Sequence, residues 1–215
     1  MTKIAVVLAG CGVYDGAEIH EAVMTMLAIH QAGAEYQCFA PDIDQYHVIN
    51  HMTGAEMDEK RNVLIEASRI ARGDIKPLSA YDVKDFDAIV LPGGFGAAKN
   101  LSTFAIDGPD CSVNADVEKA LKSTRAAHKP IGALCISPAV LAKVFGDVTL
   151  TIGQDSDTAA AIESLGCTHQ KTSHGEIVVD EAAKIVTTPC YMLDANIGQI
   201  AEGAKACVDK VISLI

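Results

Sequence analysis

Ile131-Gly132-Ala133-Leu134-Cys135-Ile136-Ser137-Pro138 reads as a four-residue apolar run that turns, with no linker, into a helical segment from Ala139 to Val144. An apolar run this short, bounded by turn and helix signals, fits a strand buried on both faces of a parallel sheet. Proline suits the first turn of the helix that follows, because its missing N–H has no partner to lose there. A cysteine at such a join lies beside free backbone N–H groups and the positive end of the helix dipole. Both lower a thiol pKa and stabilise an anion that develops next to it. The expectation is a strand-to-helix elbow with a reactive thiol; the plainer alternative is an inert core cysteine, since free cysteine is among the most buried residue types.

The same alternation extends outward in both directions. Ala88-Ile89-Val90-Leu91 is a second buried strand, stopped by Pro92-Gly93-Gly94-Phe95-Gly96, and Ile4 to Leu8 is a third. Helices are predicted over about 18–31, where Ile19, Val23, Met26 and Leu27 recur at helical spacing, then at 63–70, 116–127, 158–165 and 194–212. Further strands are expected at Tyr36 to Phe39, Val148 to Ile152, Ile177 to Val179 and Ile185 to Thr187. Strands alternating with amphipathic helices predict a single α/β domain over residues 1–215, a three-layer sandwich with a mostly parallel sheet. The stretch at about 41–85 weakens the pattern and reads as a polar insertion.

Composition narrows the partners. With 215 residues, of which 49% are hydrophobic, the chain can bury one sizeable core. A net charge of -11 with both signs interspersed argues against nucleic acid or an anionic membrane and for a small metabolite. Lys3 followed by Ile4 to Gly10 imitates a signal peptide, but the run is short and breaks at Gly10-Cys11-Gly12, so it reads as a strand. Seven cysteines, an odd number without CxxC or zinc-like spacing, predict a reduced cytoplasmic protein with no metal and no cofactor.

In an open parallel sheet ligands bind beyond the carboxyl ends of the strands, which directs attention to the loops there. Glu18 and Glu21 fall in the first turn of the first helix, and a carboxyl near the thiol would let a proton be shared and moved; acidic residues also favour helix N-termini for dipole reasons alone. The run containing Gly93, Gly94 and Gly96 lacks both the GxGxxG spacing and the Lys-Ser/Thr of a phosphate loop. Its glycines instead suit a close backbone approach to a substrate oxyanion, or merely a tight turn. Cys11 and Cys190 follow strands and could approach Cys135. Lys99 and Asn100 read as rim groups, His20 as a surface helix residue, and His174 and Glu176 as surface residues before the late strands.

These residues together carry a resemblance. Gly10-Cys11-Gly12-Val13-Tyr14-Asp15-Gly16, Glu18-Ile19-His20-Glu21-Ala22, Val48-Ile49-Asn50-His51, Leu91 to Leu101, Thr151-Ile152-Gly153 and Val186-Thr187-Thr188-Pro189 make the chain similar, over nearly its whole length, to the ElbB family of isoprenoid-biosynthesis-associated proteins. That family lies in the PfpI-type branch of the class I glutamine-amidotransferase-like superfamily. The resemblance implies a flavodoxin-like sandwich, a homodimer, and a cofactor-free glyoxalase activity that converts glyoxal to glycolate without glutathione. It implies Cys135 as nucleophile, Glu21 as its carboxyl partner with Glu18 second, and an oxyanion held by backbone N–H groups of the elbow, at Ile136, and of the glycine loop. Where many superfamily members place a histidine, after the cysteine or about twenty residues beyond it, this chain has Ile136 and Asp155. Two rivals stand beside this reading: a non-catalytic protein that senses oxidation or binds a metabolite or partner through the thiol, and an amide hydrolase, which needs a histidine at Cys135.

Overall fold

The computed structural model describes all residues 1–215. Its elements in chain order are β1 (Lys3–Val7), α1 (Ile19–Gln31), β2 (Glu35–Ala40), β3 (Val48–Ile49), β4 (Glu56–Met57), α2 (Val63–Ile70), β5 (Ile75–Pro77), β6 (Ala88–Leu91), α3 (Phe95–Lys99), α4 (Phe104–Asp107), α5 (Ala115–Ala126), β7 (Ile131–Leu134), α6 (Pro138–Phe145), β8 (Thr149–Leu150), α7 (Ser156–Ser164), β9 (Thr168–His169), β10 (Val178–Asp180), β11 (Ile185–Thr188) and α8 (Ile197–Ser213). Seven strands form the main sheet in the order β10-β11-β7-β6-β1-β2-β5. All neighbours run parallel except β10 and β11.

The three layers follow from the period-2 alternation of side chains in a strand. In and just beyond β1, Ala5, Val7 and Ala9 join one buried cluster with Val117 and Leu121 of α5 and Val140 and Leu141 of α6. Ile4, Val6 and Leu8 point the other way, into a cluster with Met26 and Ile29 of α1 and Ile200, Ala204 and Val208 of α8. This is the α/β, mostly parallel, flavodoxin-like and class I amidotransferase-like sandwich expected. No helix is long and apolar enough to cross a membrane.

Two stretches differ from the expectation. Val148 to Ile152 does not extend the main sheet: only Thr149 and Leu150 are extended, and they pair with Thr168 and His169 in a separate two-stranded sheet. The stretch at 41–85 holds the β3–β4 hairpin and α2, and it also supplies β5, which pairs with Cys38–Ala40 and forms one edge of the main sheet. A three-residue edge strand ending in Pro77 has no alternation to read, and proline at a sheet edge costs no ladder bond.

Candidate functional site

The carboxyl ends of β1, β6, β7 and β11 meet at one point, and Cys135 stands there. It follows β7 directly, with φ +61°, a left-handed conformation that costs an L-residue roughly 1–2 kcal/mol. Such strain is held only where the surroundings over-determine it. Here the Cys135 N–H donates to Thr188 O (2.9 Å), the Ser137 N–H to Leu134 O (3.0 Å), and the buried Ser137 hydroxyl to Pro92 O (2.7 Å). Pro138 opens α6 in its first turn, as the sequence indicated.

Glu21 reaches the elbow from α1. Its side chain is completely buried, and its carboxylate accepts two backbone N–H bonds, from Gly93 to Oε2 (2.9 Å) and from Tyr191 to Oε1 (3.2 Å). Its Oε2 and the Cys135 side chain both stand against Gly93, so the carboxyl and the thiol are neighbours. Burial, reinforced by the neighbouring Glu18 charge, pushes the Glu21 carboxyl up to about 8. Burial and Glu21 likewise push the Cys135 thiol well above its ordinary value, against the N–H groups of Gly94 and Ile136 that favour its thiolate. The thiol lowered by a helix dipole that the elbow suggested is thus not what the fold produces: desolvation beside a carboxyl outweighs the dipole. Thiol and carboxyl form a coupled pair whose protons belong to both.

The raised Glu21 carboxyl has a consequence for stability. Folded Glu21 holds its proton to about pH 8 while the unfolded side chain loses it near its ordinary value of 4.5. The native state therefore binds more protons in this window, and stability falls as pH rises through it. Urea unfolding between pH 4.5 and 8 should show this decline, and Glu21→Gln should flatten it; an unchanged slope in the variant would place the titration elsewhere.

The glycine run divides into separate tasks. Gly93 donates its N–H to Glu21 and its carbonyl accepts from Glu18 N–H (2.9 Å), so it locks α1 to the elbow. Gly96 donates to Gly16 O (2.8 Å) and packs against the loop after β1. Neither N–H is free for an oxyanion. The N–H groups that face the thiol are those of Gly94 and Ile136, and both residues line a cleft of about 480 Å³ whose floor includes Cys135. The rest of its wall is mainly apolar, with Val13, Phe95, Phe104 and Met192, and Asp155, Thr158 and Tyr191 add polar groups.

Other candidates find different places. Glu18 caps α1, its carboxylate accepting the Glu21 N–H (2.7 Å). Asp155 lines the cleft, but it caps α7 by accepting from Thr158 N–H (2.8 Å), and Thr158, through its side chain first and its N–H second, holds the carboxyl below its usual range. Asn100 is buried beneath the loop after β1, bonding Ala9 O and Asp15 O (both 2.9 Å), and Lys99 donates to Tyr14 O (3.0 Å). His51 accepts from Tyr14 N–H (3.2 Å), so the 48–51 and 97–101 segments brace the loop that carries Val13 to the cleft. Glu176 stays exposed, bonded to Ser173 N–H, and none of the seven histidines lines the cleft. Cys190 follows β11 with φ +42°; burial and the nearby Glu21 and Cys135 push its thiol up. Cys11 lies instead among Glu66, Arg69 and Asp15. All seven cysteines are free, and no cluster of three His, Cys, Asp or Glu is placed to hold a metal ion.

No protein-family model matches the chain. The human protein named glutamine amidotransferase-like class 1 domain-containing protein 3, mitochondrial, is 47% identical over 222 residues, which cover 99% of this chain and 83% of that protein. The rat protein named ES1 protein homolog, mitochondrial, is 46% identical over 222 residues, covering 99% and 84%. A solved structure of an isoprenoid biosynthesis protein with an amidotransferase-like domain from Ehrlichia chaffeensis superposes with a TM-score of 0.94 at 34% identity, covering 100% of this chain and 99% of that one. Glyoxalase III from Candida albicans shares the fold at TM-score 0.63 and 16% identity, covering 100% and 97%. The cytoplasmic placement read from the cysteines is overturned by these relatives, which are named as mitochondrial; unpaired cysteines mark a reducing environment, and that does not single out the cytoplasm.

Proposed function

The chain belongs to the family of the ES1 and glutamine amidotransferase-like class 1 domain-containing 3 proteins, and on that premise we propose that it is a glutathione-independent glyoxalase-type enzyme, converting glyoxal to glycolate through Cys135. The observation that carries the reading is the sealed Glu21 carboxyl, which stands with Cys135 against Gly93 at the floor of the cleft. The reactive form is the pair with one proton between carboxyl and sulfur. Its thiolate tautomer attacks one aldehyde carbon, the N–H groups of Gly94 and Ile136 receive the forming oxyanion, and Glu21 protonates it. The freed carboxylate then takes the proton from that carbon and delivers it to the next. Water releases glycolate from the resulting thioester.

The rivals fit the site less well. An oxidation sensor needs a standing thiolate, and burial beside Glu21 opposes one at rest; the enzyme needs sulfur ionised only while the aldehyde is bound. An amide hydrolase needs a histidine at the thiol to protonate a departing amine, and the cleft holds none.

The test is glyoxal consumption and glycolate formation by wild type and Glu21→Gln across pH, without glutathione. Since kcat/KM reports the free enzyme, it should climb with pH to a plateau governed by the pair, with its midpoint near the Glu21 value of about 8. Glu21→Gln should lose on the order of 10²- to 10⁴-fold in kcat together with that limb. A wild type that forms no glycolate would end the reading.

A further inference from the structure

Besides the thiol–carboxyl pair, one polar connection leads from the cleft to solvent. Tyr191 donates its N–H to Glu21, is one of the residues that line the cleft, and has its hydroxyl 2.8 Å from Nδ1 of His20. His20 is an exposed residue in the first turn of α1, with Nδ1 3.9 Å from Glu18 Oε1. Glu18 in turn accepts the N–H of Glu21. Glu21, Tyr191, His20 and Glu18 thus close a ring around the start of α1, buried at one end and wet at the other.

The chemistry leaves a vacancy that this ring can fill. Gly94, Ile136 and Glu21 serve the first carbon and its oxygen, whereas the second carbonyl oxygen must gain a proton as the first C–H bond breaks. Asp155 is tied up as a helix cap, and an alcohol such as Thr158 is a much weaker acid than a phenol. We propose that the Tyr191 hydroxyl is the acid that protonates the substrate's second oxygen, and that His20 is the positioning residue that holds this hydroxyl and restores its proton from solvent. The assignment rests on the glyoxalase-type reading.

The step balances without any outside oxidant. Glu21 carboxylate removes the hydrogen on the sulfur-bearing carbon, that electron pair forms the carbon–carbon double bond, and the second carbonyl's π pair moves to its oxygen, which takes the Tyr191 proton. The phenolate recovers a proton through His20 from water. Glu21 then returns its proton to the second carbon and accepts the hydroxyl proton of the first as the thioester carbonyl forms. One carbon is oxidised by the same two electrons that reduce its neighbour, and hydrolysis releases the acid and its protons.

The experiment compares wild type, Tyr191→Phe and His20→Ala in glyoxal turnover, in imidazole rescue, and in the rate at which iodoacetamide alkylates Cys135. Tyr191→Phe is expected to lower kcat by about 10²-fold, the lower end of what a positioned acid supplies, with KM and the alkylation rate changed less than about twofold. His20→Ala should lose a smaller factor, about tenfold, part of which added imidazole restores. Unchanged kcat in Tyr191→Phe overturns the assignment, as does a parallel loss of turnover and alkylation, which marks a merely structural role. A wild type that is alkylated yet turns over no glyoxal overturns the glyoxalase reading and this assignment with it, and is distinguished by the inert wild type.

Discussion

Cys135→Gly should abolish glycolate formation, by at least about 10³-fold as expected for loss of a nucleophile, and yet leave the protein about as stable as the wild type. The activity arm follows from Cys135 being the only thiol among the residues that line the cleft. The stability arm follows from the backbone. Cysteine at φ +61° carries the left-handed penalty of roughly 1–2 kcal/mol. Glycine removes it, at about 0.5–1 kcal/mol of extra chain entropy in the unfolded state. Cys135→Ala keeps the Cβ and hence the strain, so it should be inactive too but less stable than the glycine variant. Urea midpoints at constant slope measure the difference. A glycine variant clearly weaker than the alanine variant would mean that the elbow stores no strain.

Strain at a functional residue agrees with the other cost of this site. Glu21 is buried where its charge is disfavoured, so the protein loses stability as pH rises from 4.5 to about 8, the value at which the reactive monoanion of the pair becomes populated. Both features lower the stability of the native state, and the proposed role of Cys135 accounts for both. A site optimised for stability alone would have a glycine at the elbow and an apolar residue at position 21.

The sequence made the backbone frame legible and left much of the chemistry hidden. Ala88–Leu91, Ile131–Leu134 and Val63–Ile70 are read residue for residue because each short apolar run or amphipathic turn ends at a strong local signal: Pro92, the elbow, or Asn62 capping α2. Val148 to Ile152 misleads because an apolar run reports burial and not the partner with which a strand pairs. The pairing of Glu21 with Cys135 came through resemblance, since the two are 114 residues apart and spacing alone left Glu18 an equal. The direction of the thiol pKa escaped local reasoning altogether: the helix N-terminus is visible in the sequence, whereas the desolvation that overrides it is made by the packed fold. His20 and Tyr191 are 171 residues apart, so no window on the chain brings them together. The only local hint was a histidine between the two glutamates of Glu18-Ile19-His20-Glu21.

Gly93→Ala is expected to damage both the stability and the activity of this protein severely. The new Cβ would stand 2.4 Å from Cys135 Cβ, 2.7 Å from Glu21 Oε2 and 2.9 Å from Leu134 O. None of these atoms is the free end of a flexible side chain: the first is one bond from a strained backbone, the second is fixed by Gly93 itself, and the third is backbone. Gly93 is not among the glycines of positive φ, so the effect is steric rather than conformational. The roughly 0.4–1 kcal/mol that glycine-to-alanine exchange can gain from the unfolded chain is small against an overpacking cost of about 3 kcal/mol, the upper part of the usual range. Relief requires β6 and the elbow to separate, which moves the thiol away from Glu21, and a displacement of about 1 Å is enough to cost on the order of 10²-fold in turnover. Adding Cys135→Gly to Gly93→Ala removes the closest of the three contacts. The double variant should therefore recover part of the lost stability, leaving the two changes non-additive, as contacting residues are. Strict additivity in urea unfolding would show that Gly93 and Cys135 do not bear on each other, and with that the locked elbow would lose its physical basis.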